Sequence, residues 1–290
     1  MFASVKALLA SVVDYAGLFP PAKLGMEEAM ANYNQYQTTP YSWMLGHFVV
    51  PASRLNEFAE ILPTFPLKQR SLSVILSGNF EQEINRVRFL HDNTQIAIAA
   101  VEFPPLPPAE IEKVFPRLPA EVDCFFEIPL KEDIEAHLAV LQDVGASAKV
   151  RTGGITADVF PSATQLCQFI VACARNRVPF KATAGLHHPV PGNYRLTYEP
   201  DSQSTVMHGF LNVIVCAASV YWQKVTLEEA QEILQDSSIN SFQFKDDSIG
   251  WRDRYLNLAE IEEVRQHFFC SFGSCSFQEP IDDLKELTLL

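Results

Sequence analysis

The 290-residue chain has a formal net charge of −13 with no basic block, and 48% of its residues are hydrophobic against 20% charged. This is the composition of a globular protein with a full core. It excludes intrinsic disorder and argues against nucleic acid or an anionic membrane as partner. An anionic ligand would need a local cationic site working against the global field. The apolar run Met1 to Val13 is too short to cross a bilayer and reads as a first helix, so a cytoplasmic location is expected. Cys124, Cys167, Cys173, Cys216, Cys270 and Cys275 sit mostly in apolar segments without a C-x-x-C spacing. They are expected to be reduced core thiols, with no cofactor or metal implied.

In chain order, short apolar runs alternate with amphipathic stretches. A strand is expected near Val12 to Leu18, then Met44 to Pro51 followed by a helix over Arg54 to Leu62. Leu72 to Gly78 precedes a helix over Phe80 to His91. Ile96 to Phe103 and Asp123 to Pro129 each lead into helical segments. Ala148 to Gly154 and Phe180 to Gly185 are separated by a helix over Ser162 to Asn176. Met207 to Trp222 reads as a buried apolar helix. Thr226 to Leu234 reads as a helix opened by a Thr226/Glu229 capping box. The eighth strand is expected at Ser241 to Phe244, a last helix over Leu256 to Phe268, and Phe272 to Pro280 reads as a small-residue turn. This alternation predicts an α/β protein, a (β/α)8 TIM-barrel-like single domain over residues 1–290 with an elaborated C-terminal part. A doubly wound sheet is the alternative, without a G-x-G-x-x-G to support it.

Chemistry in such a barrel collects at the C-terminal strand ends, and residues two apart share a face. Lys149 and Arg151 therefore share a face, as do Lys181 and Thr183. His47, Glu102 and Glu127 fall late in otherwise apolar runs. Three cations in one cavity repel, so Lys149, Arg151 and Lys181 point to an anion-binding pocket, unless pairs such as Glu127 with Lys149 merely tie strands together. Thr152, Gly153, Gly154 and Gly185 would let backbone N–H groups approach the anion, or would simply make tight turns. His208 reads as a buried contact or a ligand. His91, His137 and His267 are expected on the surface.

Two resemblances follow from these strings. Asp14 to Ala22, Lys149 to Gly154, Pro179 to Pro189 and Phe272 to Pro280 together resemble a bacterial protein family without an assigned activity. The two lysine strands are similar to those of class I aldolases of the deoxyribose-phosphate aldolase type, over about a third of the chain. That resemblance implies a Schiff-base lysine at Lys149, a second lysine at Lys181 before a phosphate-binding turn, and a counterpart for Asp14. Arg151, His187-His188 and the length beyond Gly185 depart from it.

The expected function is a lyase, aldolase-like, acting on a small carboxylate- or phosphate-bearing carbonyl compound. Lys149 or Lys181 would be the nucleophile, and Glu127, Glu102 or His187 would move protons. Arg151, Thr152, Gly153, Gly154, Thr183, Gly185, His188, Asp14 and His47 would bind substrate. The alternatives are a metal-dependent hydrolase or isomerase using His187, His188 and His208 with Glu102 or Asp246, and a non-catalytic binder of anionic ligands. The 21 phenylalanines are compatible with a homo-oligomer.

Overall fold

A computed structural model describes residues 1–65, 71–93, 96–131 and 133–290. Eight parallel strands close into a barrel. Seven alternate with helices in the first two thirds of the chain: α1 (Ala3–Leu9), β1 (Val13–Tyr15), α2 (Met26–Tyr36), β2 (Leu45–Pro51), α3 (Leu55–Ile61), β3 (Ser71–Ile75), α4 (Phe80–Asn93), β4 (Ala97–Phe103), α5 (Pro108–Val114), β5 (Asp123–Glu127), α6 (Ile134–Val144), β6 (Ser147–Arg151), α7 (Ala163–Asn176) and β7 (Phe180–Thr183). After β7 the chain forms a hairpin, β8 (Gly192–Arg195) and β9 (Ser204–Met207). Helices α8 (Phe210–Tyr221) and α9 (Leu227–Gln235) follow, then an antiparallel three-stranded sheet of β10 (Phe242–Phe244), β11 (Ser248–Trp251) and β12 (Arg254–Asn257). Helix α10 (Leu258–His267) leads into β13 (Phe269–Ser274), and α11 (Gln278–Glu286) ends the chain.

The (β/α)8 expectation holds, with one strand misplaced. Phe242–Phe244 is not the eighth barrel strand, because Phe242 pairs antiparallel with Trp251 outside the barrel. The eighth is β13, which pairs with β1 through Asp14 and Gly273 and with β7 through Thr183 and Gly273. The segment read as a turn thus begins inside the sheet. The signal was weak for a physical reason. Ser271 reaches inward to Asp14 and Gly273 lies beside it in register, while Phe272 turns outward to stack on Phe210 of α8 at 5.1 Å between centroids. A strand whose inner face holds serine and glycine lacks the continuous apolar run of a buried parallel strand.

Local signals fix the helices. Asp133 caps α6 by accepting from Glu135 and Ala136 N–H, and α6 stops at Gly145 with φ 75°. Ser162 with Gln165 and Thr226 with Glu229 form capping boxes at α7 and α9. Helix α8 is buried nearly all round, packed on α7 and α9, and the amide nitrogen of its buried Asn212 is used: Nδ2 donates to Ile233 O at 2.6 Å and Asp236 O at 2.8 Å. His137, expected on the surface, is buried, with its ring nitrogens 2.9 and 3.1 Å from the carbonyl oxygens of Asp133 and Leu106. Its position on α6 packs toward α5 and the loop after β4 rather than toward water.

The loops after β6 and β7 touch backbone to backbone. Gly185 has φ +76°, and a Cβ there would lie 2.7 Å from Gly153 Cα. Gly185→Ala is therefore expected to destabilise the fold by at least about 1–2 kcal/mol from the left-handed backbone alone, with the overlap adding to it. Gly25→Ala, whose Cβ would enter open space at the N-cap of α2, should cost less, about 0.5–1 kcal/mol from the poorer cap. Urea midpoints of the two variants check this, and equal midpoints would contradict it.

Candidate active site

The barrel interior is built around a charge cluster. β5, β6 and β7 set Glu127, Lys149 and Lys181 side by side, with Glu127 in register with Lys149 and Lys149 with Lys181. Lys181 is 1% exposed, and its Nζ donates to Asp14 Oδ2 of β1 and to Glu102 Oε1 of β4, both at 2.6 Å. Each carboxylate has further support. Asp14 accepts from Ser271 Oγ at 2.6 Å and from His47 N–H at 2.9 Å, and Glu102 accepts from Ser73 Oγ at 2.7 Å. The crowding around Asp14 requires Gly46, where a Cβ would fall 2.4 Å from Asp14 Oδ1.

Lys149 is held more loosely. Its Nζ lies 3.5 Å from Glu102 Oε2 and 3.4 Å from Glu127 Oε2, and Glu127 Oε1 in turn accepts from Arg151 Nε at 3.2 Å. The expected excess of positive charge is therefore corrected. Lys149, Lys181 and Arg151 face Asp14, Glu102 and Glu127, a formally neutral set.

Burial pushes the Glu102 carboxyl up, but the ammonium groups of Lys181 and Lys149 and the hydrogen bonds from Lys181 and Ser73 outweigh it and bring it down to about 2. Asp14 is likewise held below its usual range: burial opposes ionisation, and the Lys181 and His47 charges overcome it. Burial would lower Lys181, yet Asp14 and Glu102 raise it above the ordinary lysine value. Lys181 is thus a fixed ammonium.

Above this cluster, at the C-terminal ends of the strands, lies a cavity of about 590 Å³. Glu102, Glu127, Lys149, Arg151, Thr183 and Gly154 line it, and Lys149 is the one lysine among the lining residues described. Lys181 lies beneath, its Nζ 5.2 Å from the Phe125 ring centroid. The β8–β9 hairpin contributes Tyr194, Arg195, Thr197 and Tyr198 to the wall. At the rim His187 Nδ1 lies 3.2 Å from Glu279 of α11, and His188 Nδ1 lies 2.6 Å from Asp283 of the same helix with its ring stacked on Tyr194.

Several expected site residues lie elsewhere. His47 falls early in β2, at the opposite end of the barrel, where it lines a smaller cavity of about 280 Å³ with Asp123 and Arg265 and bonds Ser71 at 2.7 Å. Thr152 and Gly153 stand outside the cavity lining: Thr152 Oγ1 donates to Ala184 O, and Gly153 packs against Gly185. The glycines serve the approach of two loops. His208 is also outside the lining, with Nε2 2.7 Å from Pro161 O, and burial lowers its pKa. Asp246 accepts from the Ala3 N–H. His187, His188 and His208 therefore do not form a metal site, and among the described residues no three His, Cys, Asp or Glu side chains converge as one. The supports missed from sequence are Ser73, Ser271 and the hairpin residues. The alternating Ser71 and Ser73 in an otherwise apolar strand were a readable sign; Ser271 was hidden with its strand.

No protein-family model matches the chain, and neither the curated proteins nor the solved structures contain a match. The fold and the site define a TIM-like (β/α)8 barrel with a buried, charge-balanced cluster under an open cavity.

The cluster should govern acid stability. The Glu102 carboxyl is depressed from 4.5 to about 2, so its stabilisation is complete above the unfolded value and is lost as pH falls from 4.5 toward 2. The span corresponds to roughly 3 kcal/mol. The raised Lys181 acts on the other side: its contribution is complete below 10.5 and is lost as pH rises through the higher folded value. Glu102→Gln is expected to cost about 3–5 kcal/mol at neutral pH by leaving Lys181 under-compensated, and to flatten the acid slope. Urea midpoints from pH 2 to 7 test both, and a parent slope kept intact in the variant would show the carboxylate to be unlinked.

Proposed function

We propose that the protein is a barrel enzyme of the imine-forming lyase type, acting on a small carbonyl compound that carries a carboxylate or phosphate. The observation that carries this reading is the division between the two lysines. Lys181 is tied by two short ion pairs below the cavity, while Lys149 reaches the cavity floor without such a tie.

In its neutral form the Lys149 amine adds to the substrate carbonyl, forming the C–N bond and leaving a carbinolamine hydroxyl. Glu102 Oε2, buried and without a hydrogen-bond partner, is the acceptor for that hydroxyl. Protonation of the carbinolamine hydroxyl and loss of water yield an iminium, which carries the same single positive charge as the ammonium it replaces. The neutral balance of the cluster is therefore kept through the covalent stage. The bond between the carbon next to the iminium and the one beyond it then breaks. Its electron pair passes to the iminium to give an enamine, while a hydroxyl on the far carbon gives up its proton and that carbon leaves as an aldehyde. The enamine is reprotonated at carbon and hydrolysed, freeing product and the Lys149 amine. Glu102, held ionised, stabilises the cation, and Glu127, with its side chain 13% exposed, carries the proton to and from the cavity. Lys181 is a positioning residue that fixes Glu102. Arg151, half exposed and bound to Glu127 only through Nε, and the exposed Arg195 supply positive charge for the substrate anion.

Borohydride reduction in the presence of short 2-oxo acids and aldehydes tests the reading. A single stable mass increment mapped to the Lys149 peptide is expected, absent in Lys149→Met and retained in Lys181→Met if that variant folds. Absence of any Lys149 adduct across the panel, with the protein folded, would sink the imine mechanism.

A further inference from the structure

The wall of the cavity is divided chemically, and the division bears on the substrate. Among the barrel strands, the charged and hydroxyl side chains come from one arc, Glu102, Glu127, Lys149, Arg151 and Thr183 on β4 to β7, and further polar groups come from the β8–β9 hairpin, the His187-His188 segment and Glu279 of α11. The opposite arc consists of Phe19 and Pro20 after β1, Val49 on β2, and Ile75 and Leu76 at the end of β3, and every lining side chain from these segments is apolar. The hydroxyls nearby are already committed. Ser73 donates to Glu102 at 2.7 Å, Ser77 Oγ donates to Glu83, and Tyr15 Oη accepts from Asn32 at 3.5 Å.

We infer that the substrate is an amphiphile: its carbonyl and anionic group lie against β4 to β7, and a hydrocarbon group, rather than a polyhydroxylated chain, lies against the apolar arc of β1 to β3. This rests on the cavity being the reaction site proposed above. A polyhydroxylated chain placed there would lose its water without finding side-chain partners, whereas a hydrocarbon gains from the same contact. The cavity, at about 590 Å³, has room for such a group beyond the reacting carbon.

Calorimetric titration with unbranched 2-hydroxy acids of increasing length, from lactate upward, provides the test. These probes place a hydroxyl where the carbinolamine oxygen would stand and have no aldehyde or ketone carbonyl for an imine. Affinity is expected to rise about fourfold per added methylene until the arc is covered. Val49→Thr, isosteric with its parent, and Ile75→Thr, one carbon shorter, should each reduce that slope, with thermal unfolding run alongside to confirm the fold. A flat series, a sugar acid bound as tightly as the hydroxy acid of equal carbon number, no binding by any member, or a slope unchanged in both folded variants would overturn the assignment. A rising series without a borohydride adduct would retire the imine mechanism and leave the amphiphile. A Lys149 adduct with a flat series would do the reverse.

Discussion

The interaction on which the interior depends is the ammonium of Lys181 held between Asp14 and Glu102. Removing three charged groups from water costs several kcal/mol each. Two 2.6 Å contacts offset this only because the remaining lone pairs are also supplied, by Ser271, the His47 N–H and Ser73. The tie joins β7 to β1 and to β4, neither of which neighbours β7: β1 is two strands away through β13, and β4 is three away. A barrel layer usually filled by branched aliphatic side chains is here filled by charge. A charged layer specifies its partners more narrowly than an apolar one, since each misplaced member would leave a buried charge unpaired.

From that tie follows the difference between the lysines. Their Cα atoms are register partners on adjacent strands, so backbone geometry alone makes them equivalent. Their surroundings do not. Glu102 spends one oxygen on Lys181 and Ser73 and turns the other, unpartnered, toward Lys149. The buried ion pair thereby positions an ionised acceptor beside an amine at the cavity floor. In the proposed reaction, stability and reactivity are coupled through a single carboxylate.

Seven of the eight barrel strands were legible in the sequence because apolar runs bounded by glycine or proline mark buried parallel strands without reference to distant contacts. β13 was not, because its inner residues Ser271 and Gly273 are shaped by Asp14, 257 positions from Ser271. The same cause hid the meaning of the cations. Lys149, Arg151 and Lys181 were visible as an unusual set, but the carboxylate tied to Lys181 lies 167 residues away at Asp14, and sequence spacing carries no trace of that pairing. A cluster that reads as excess positive charge when scanned strand by strand is neutral once the barrel closes. His47 shows the complementary error: its run was apolar to the end, but the strand is long enough that position 47 belongs to its lower half.

The long connection between β7 and β13, which departs from a minimal barrel, has a structural role consistent with this site. Its hairpin places Tyr194, Arg195, Leu196, Thr197 and Tyr198 along the cavity, and Tyr194 stacks on His188. Helix α11, entering directly after the eighth strand, holds both histidines through Glu279 and Asp283. The hairpin and the last helix therefore meet at the His187-His188 segment, the continuation of the strand that carries Lys181. Protein along one wall of the cavity replaces solvent beside the charges on its floor and strengthens the electrostatic contacts there. The chain that reads as an appendage thus supplies one wall of the cavity above the buried cluster.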